Sequence, residues 1–203
     1  HVYDRWTVSR SITLDAGLFF THYAPQQKFT FEDSLFGTTK SHKSKDSYLI
    51  NPRVGITYSL GEKGAIRVAY QKRSATSFLG ELAPVGTSGL VPPTFDIAYS
   101  EAKDLEASVE YELGKNTFVR ALGGYEKLAD LLTDGSSSQL WYGRVAFNQI
   151  FGRNFSFSLR YHYNDSQVLG ERDRELYGIP AHSGAARLTF IHPGEIYMTL
   201  RES

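Results

Sequence analysis

The chain has 203 residues with 22 basic and 22 acidic side chains, so no basic excess draws it to nucleic acid. It has no cysteine, which excludes disulfide frameworks, thiol catalysis and cysteine-based zinc sites together. No uncharged apolar run approaches the roughly 18–20 residues of a membrane helix, and mean hydropathy is −0.33. Neither fact excludes a membrane β-barrel, in which only alternate residues face lipid. The 13 Tyr and 13 Phe suit the aromatic girdles of such a barrel. The opening residue His1, with no leader-type segment behind it, is expected of a processed product or an internal piece.

In chain order, the first strand is expected over residues 2–9, with Trp6 and Val8 on one side. The second sets Ile12, Leu14, Ala16, Leu18 and Phe20 against Thr13, Asp15 and Gly17. A long polar connection follows over 24–47, rich in Lys, Ser, Thr and Gln. The third strand, 53–60, alternates Val54, Ile56, Tyr58 and Leu60 with Arg53, Gly55, Thr57 and Ser59, and Gly61-Glu62-Lys63-Gly64 makes a tight turn. The fourth places Ile66, Val68 and Tyr70 opposite Arg67, Ala69 and Gln71. Pro and Gly bar the next long stretch, 74–95, from being a central strand. Its 82–93 part is too apolar for a fully exposed loop, so it is expected to fold into a barrel mouth or cover an edge.

The fifth strand is the most charged, with Leu105, Ala107, Val109, Tyr111 and Leu113 facing away from Asp104, Glu106, Ser108, Glu110 and Glu112. The sixth, 117–128, alternates poorly, and its end, 126–132, could instead form a short helical turn. A medium loop, 133–138, leads to a seventh strand with Trp141, Gly143, Val145 and Phe147 against Tyr142, Arg144, Ala146 and Asn148. The eighth, 155–163, is the clearest: every odd position is aromatic or Leu, and every even one is Ser, Arg or His. After a charged loop over 164–183 come a ninth strand around Ala186, Leu188 and Phe190 and a tenth at 195–201.

Connections alternate between short and long, the layout of an outer-membrane barrel with tight turns on the periplasmic side. A sandwich has no reason to sort loop lengths between its ends. The fold expected is therefore all-β, an antiparallel up-and-down transmembrane β-barrel forming a single domain over 1–203 in which about ten strands are seen. A soluble sandwich or lipocalin-like barrel is the competing fold. Strand parity places both chain ends on the long-loop side, and no terminal aromatic closes the chain, so this is expected to be part of a larger barrel.

Tyr3-Asp4-Arg5-Trp6 followed by Ser11-Ile12-Thr13-Leu14-Asp15-Ala16-Gly17-Leu18 resembles a strand pair common in TonB-dependent receptor barrels. Asn51-Pro52-Arg53-Val54-Gly55-Ile56-Thr57-Tyr58 with Ala65-Ile66-Arg67-Val68-Ala69-Tyr70 looks like the next pair. Leu82-Ala83-Pro84-Val85-Gly86-Thr87-Ser88-Gly89-Leu90 and Phe190-Ile191-His192-Pro193-Gly194 are similar to a related group whose barrel follows tetratricopeptide repeats. The resemblance implies transport or binding at the bacterial outer membrane. It also implies an upstream plug or repeat region, neither of which lies within 1–203, and periplasmic energy-coupling or assembly partners besides outer-membrane lipid.

The candidate binding residues are those on the wet face: Arg53, Arg67, Asp104, Glu106, Glu110, Glu112, Arg144, Arg160, His162 and Arg187. They form either a lining that guides a hydrophilic solute or charges that pair across strands and keep the interior hydrated. His162 is the one histidine central on that face, but no spacing supports a catalytic triad, so no enzyme activity and no cofactor are expected. His22, His42 and His182 sit in or beside loops and read as solvated. The oxygen-rich stretch 164–175 lacks the ligand order of a calcium loop and reads as an ion-paired loop. The function expected is solute transport or binding. The alternatives are a surface structural or adhesion component anchored by the barrel and, further off, a barrel-rim hydrolase.

Overall fold

The computed structural model describes residues 1–23, 29–33, 38–42, 47–75, 87–90, 100–130, 137–169, 180–191 and 197–202. Twelve strands occur among them: β1 (Val2–Thr7), β2 (Ile12–Tyr23), β3 (Phe29–Asp33), β4 (Thr38–His42), β5 (Ser47–Ser59), β6 (Gly64–Ala75), β7 (Ser100–Gly114), β8 (Thr117–Asp130), β9 (Ser137–Phe151), β10 (Phe155–Leu169), β11 (His182–Ile191) and β12 (Tyr197–Glu202). Ten of them form one sheet in the order β1-β2-β5-β6-β7-β8-β9-β10-β11-β12, and β3 and β4 pair separately as a hairpin. All pairings are antiparallel, so the fold is the all-β up-and-down sheet expected. β1 and β12 are its two edges and do not pair with each other among the described residues.

Each expected strand is present, and the differences lie at the end of the sheet where the long connections are. β5 begins at Ser47, β9 begins at Ser137 and β10 continues to Leu169. Most of the expected medium loop 133–138 and the far part of the 164–175 loop fall outside the described residues. The near part of the latter is strand, which corrects the reading of the whole stretch as loop. β7, β9 and β10 have 15 residues each, more than the roughly 9–11 a tilted strand needs to cross a bilayer. The surplus projects beyond the apolar band, where alternation is no longer required, and that is why the sequence pattern faded there.

Two further expectations are corrected. The helical alternative for 126–132 fails, because β8 runs to Asp130, with Glu126, Lys127 and Leu128 paired on one side to Asp104, Lys103 and Ala102 and on the other to Leu140, Gln139 and Ser138. Two ladders of backbone hydrogen bonds outweigh the modest helix preference of Glu-Lys-Leu-Ala. The polar connection 24–47 contains the β3–β4 hairpin, with Phe29 opposite His42 and Asp33 opposite Thr38. Phe29 and Phe31 alternate with Thr30 and Glu32 over too few residues to stand out.

Short turns close the other end. Leu60 N donates to Gly64 O at 2.8 Å, and Gly61 and Gly152 take φ of 73° and 61°, left-handed values that a side chain would oppose.

Burial is inverted relative to a water-soluble domain. Among the described residues, 13 polar or charged side chains are buried against 7 apolar or aromatic ones. The large apolar residues lie outside: Val54, Ile66, Val109, Trp141, Val145, Leu159 and Tyr161 are all at least 41% exposed. Register confirms that this is one face, since Val54, Tyr70 and Leu105 follow one another across β5, β6 and β7.

Candidate lumen site

The period of two places every wet-face residue on the inner side, and antiparallel pairing aligns them in rows across the strands. One row runs through Asp15, Gly55, Ala69, Glu106, Gly124 and Tyr142. The next towards the long-loop end holds Arg53, Gln71, Asp104, Glu126 and Leu140. The next towards the short turns holds Thr57, Arg67, Ser108, Leu122, Arg144 and His162.

Where the first two rows meet, the phenol of Tyr142 bridges two carboxylates, 2.9 Å from Asp104 Oδ1 and 2.8 Å from Glu106 Oε2. Asp104 and Glu106 are each only 1% exposed. Gln71 Nε2 donates to the other oxygen of Asp104 at 3.0 Å. Tyr142 reaches this position because its row neighbour Gly124 has no side chain: a Cβ there would stand 2.4 Å from the phenol oxygen. The Arg144 guanidinium lies 5.6 Å from the centre of the Tyr142 ring. Glu106 Oε1, Ser108 Oγ and Arg144 Nε are buried with no hydrogen-bond partner among the described residues, so the cluster retains hydrogen-bonding capacity.

Around it the charges pair across strands. Arg67 Nη2 meets Glu110 Oε1 at 2.7 Å, and Arg73 Nη2 meets Glu126 Oε2 at 3.3 Å. Arg5 Nε meets Asp15 Oδ1 at 2.6 Å, and Tyr3 donates to the same oxygen at 3.0 Å. Arg53 is buried with its guanidinium 4.3 Å from the centre of the Phe19 ring, within the range of a cation–π contact.

A fourth component comes from the β6–β7 connection. Residues 87–90 form a turn, with Leu90 N donating to Thr87 O at 2.9 Å. The turn lies on the inner face, where Ser88 Oγ donates to Asp15 Oδ2 at 2.5 Å and Thr87 Oγ1 approaches Gln71 Oε1 at 3.5 Å. The rest of the 82–93 stretch lies outside the described residues.

Of the ten residues expected from sequence, the structure gathers Arg53, Arg67, Asp104, Glu106, Glu110 and Arg144 around this network. Glu112, Arg160, His162 and Arg187 share the inner face but stand apart from it. Glu112 is opposite Phe118 near the short turns, and Arg160 and Arg187 are exposed. His162 lies opposite Arg144 on one side and Ser183 on the other, with no carboxylate beside it in its row. Among the described residues no group of three or more His, Asp or Glu is arranged to hold a metal. His182 is exposed beside the loop as expected, where it opens β11 on the outer face with its Nδ1 2.7 Å from the Tyr161 hydroxyl. His22 stacks on Tyr48 at 4.5 Å. The side chain of His42 is outside the described set.

The residues missed from sequence are Asp15, Gln71, Arg73, Glu126, Tyr142 and Ser88. The first five share the parity of those found, and parity was the available signal. Glu126 was masked by the irregular neighbours Leu122, Gly124 and Leu128, and Ser88 by its place in a loop.

No family model matches the chain, and no curated protein does. Solved structures do match. The ferric yersiniabactin uptake receptor FyuA from Yersinia pestis aligns over 93% of this chain and 30% of its own, with TM-score 0.61 and 13% identity. The copper transporter OprC aligns over 92% and 31%, with TM-score 0.63 and 15% identity. The ferric-catecholate import receptor Fiu from K12 E. coli aligns over 97% and 32%, with TM-score 0.63 and 14% identity. At such identities the likeness is one of fold. The chain, spanning about a third of the length of the structures it matches, thus has the fold of a section of the β-barrels that those structures contain.

Proposed function

We propose that this chain forms part of the wall of an outer-membrane transport barrel that passes or binds a hydrophilic solute along its inner face. The observation that carries this reading is the inverted burial: carboxylates, guanidiniums and amides inside, bare aliphatic and aromatic side chains outside. An apolar exterior of this extent suits lipid contact. A polar interior of this density suits a water-filled path. The fold likeness to an uptake receptor, a copper transporter and an import receptor supports passage over pure anchoring.

The same reading names the partners. Outer-membrane lipid surrounds the apolar face, and a periplasmic energy-coupling protein of the TonB kind drives uptake. A plug or a tetratricopeptide region belongs elsewhere in the working assembly. The residues proposed to guide the solute are Arg53, Arg67, Asp104, Glu106, Glu110, Glu112, Arg144, Arg160, His162 and Arg187.

The test is ion selectivity of the full-length protein in planar bilayers. Arg160 is exposed on the inner face and makes no ion pair among the described residues, so Arg160→Glu changes the field without breaking a contact. The expected result is a reversal potential shifted towards cation preference. A protein whose removal alters only surface architecture and leaves solute uptake by the cells unchanged would instead establish the anchoring role.

A further inference from the structure

The 87–90 turn reaches far into the sheet. It comes from the connection that leaves β6 at Ala75, yet it sits on the row of Gly55 and Ala69. That is six residues down β6, or about 20 Å along the strand. Thr87 and Leu90 have no exposed surface, and Ser88 is 3% exposed.

Its seat is built for it. A Cβ on Gly55 would stand 3.0 Å from Ser88 Cβ and closer still to Ser88 Oγ, so no larger residue fits beneath the turn as it lies. The neighbouring position in the row is Ala69, itself 2% exposed. Gly89 packs beside the Arg67 side chain, with Arg67 Nε 3.7 Å from where a Cβ would be. The hydroxyls of Ser88 and Thr87 meet Asp15 and Gln71, and through Gln71 the turn joins the Asp104–Tyr142–Glu106 network.

The backbone of the turn carries the same message. Ser88 and Gly89 both have positive φ, 52° and 75°, as in the type I′ turn that favours Asn, Asp or Gly at both positions. Serine is a poor choice for that conformation, which a Cβ opposes. What it supplies is the hydroxyl that Asp15 accepts.

We propose that this turn is a size-selecting constriction of the lumen, seated on Gly55 and held by the Ser88–Asp15 contact. The proposal rests on the transport reading for its purpose, and its geometry is tested separately. Solutes that approach from the long-loop side meet the turn before they reach the inner-face positions nearer the short turns, such as Ser59.

The full-length protein, with no cysteine over these 203 residues and with any cysteine elsewhere replaced by serine, serves as the background for two measurements in intact cells. In the first, Gly55→Cys with Ser88→Cys is exposed to a mild oxidant. The Cβ separation needs to open by only about half an ångström to reach disulfide geometry, so rapid cross-linking is expected in the folded protein. In the second, Ser59→Cys reports how fast small and polymer-bearing maleimides arrive from outside. Gly55→Val, which displaces the turn, should speed the bulky reagent at least tenfold and leave the small one nearly unchanged. Ser88→Ala, which keeps the seat and removes the hold, should give a smaller gain and serves if Gly55→Val fails to fold. Absence of the cross-link would show that the turn is not docked. Cross-linking with the same bulky-reagent rate in wild type, Ser88→Ala and Gly55→Val would show that it is docked but constricts nothing. Either result overturns the proposal, and neither depends on solute flux, so failure of the transport reading is told apart from failure of the constriction.

Discussion

Gly123 and Gly124 are adjacent on β8 and face opposite sides of the sheet, which makes them a matched pair for testing the inner network. A Cβ on Gly124 would lie 2.4 Å from both Cζ and Oη of Tyr142, whereas one on Gly123 meets only the Tyr142 carbonyl oxygen at 3.7 Å. Gly124→Ala therefore pushes the ring by about 1 Å to reach ordinary van der Waals distance, and the 2.9 and 2.8 Å contacts to Asp104 and Glu106 are lost. A buried acceptor left without a partner costs about 1–3 kcal/mol. The phenol has one proton and Asp104 keeps its bond from Gln71, so one charged acceptor is left bare, and we expect about 3 kcal/mol, the upper end of that range. Gly123→Ala meets no obstacle and gains about 0.4–1 kcal/mol by restricting the unfolded chain. The two variants should then differ by about 3–4 kcal/mol, more than a hundredfold in the folding equilibrium. Urea unfolding of the full-length protein in lipid bilayers, followed by tryptophan fluorescence, measures this, and Trp141 next to Tyr142 helps the signal. In a Tyr142→Ala background the Gly124→Ala penalty should largely vanish. Equal stability of the Gly123 and Gly124 variants, or a penalty that survives removal of Tyr142, would refute the reasoning.

Three other outcomes follow from the same geometry. Leu159→Arg puts a charge on the lipid side and should cost about 2–4 kcal/mol in bilayers, while Ser158→Arg on the inner face should cost well under half of that; similar losses would invalidate the face assignment. Arg73→Met leaves Glu126, which has no exposed surface, facing an apolar group at the loss of its 3.3 Å ion pair; about 3–5 kcal/mol is expected, partly restored by adding Glu126→Gln, and no restoration would mean that the pair is not what holds Arg73 in place. The 203 residues by themselves should give no heat-resistant closed monomer in detergent gels, because β1 and β12 leave two sheet edges without partners among the described residues and each bare backbone group costs several kcal/mol in lipid; a folded, heat-modifiable monomer would contradict this.

What could be read from the sequence follows the two faces of the sheet. In β5, β6, β7, β9 and β10, residues between the short turns and mid-strand alternate because one face carries the exposed apolar side chains and the other the buried polar ones. Val54, Ile56, Ile66, Val68, Val109, Val145 and Leu159 therefore announced their faces without any structure. Beyond the apolar band both sides are wet, and Ser137–Gln139 or Asn164–Gln167 carry no such mark although they are strand. The candidate site was legible as a parity and illegible as a constellation. Arg53, Asp104 and Glu106 stood out because they are charged. Gly55 and Gly124 did not, since nothing in a sequence says what would occupy the space their missing side chains leave. Ser88 was beyond reach for a different reason: its contact with Asp15 joins residues 73 apart through a connection with no periodicity to follow.

The inner charges divide into two populations, and the division bears on which of them a solute would meet. Arg67 and Glu110, Arg73 and Glu126, and Arg5 and Asp15 are joined across strands, and Asp104 and Glu106 are tied to Tyr142 in the buried part of the wall. A charge already compensated by a partner in direct contact presents little net field a few ångströms away, and truncating one partner chiefly destabilises the other. Arg160 and Arg187 are different: both are exposed on the inner face of β10 and β11, where low-dielectric walls focus the potential of an uncompensated charge. Arg120 stands in the row of Arg160 with Ala146 between them, but it faces Glu110 on its other side and so belongs with the compensated set. Substituting the paired set should therefore appear mainly as lost stability, and substituting the exposed arginines mainly as altered selectivity at unchanged stability. That contrast separates the two readings the sequence left open for these charges.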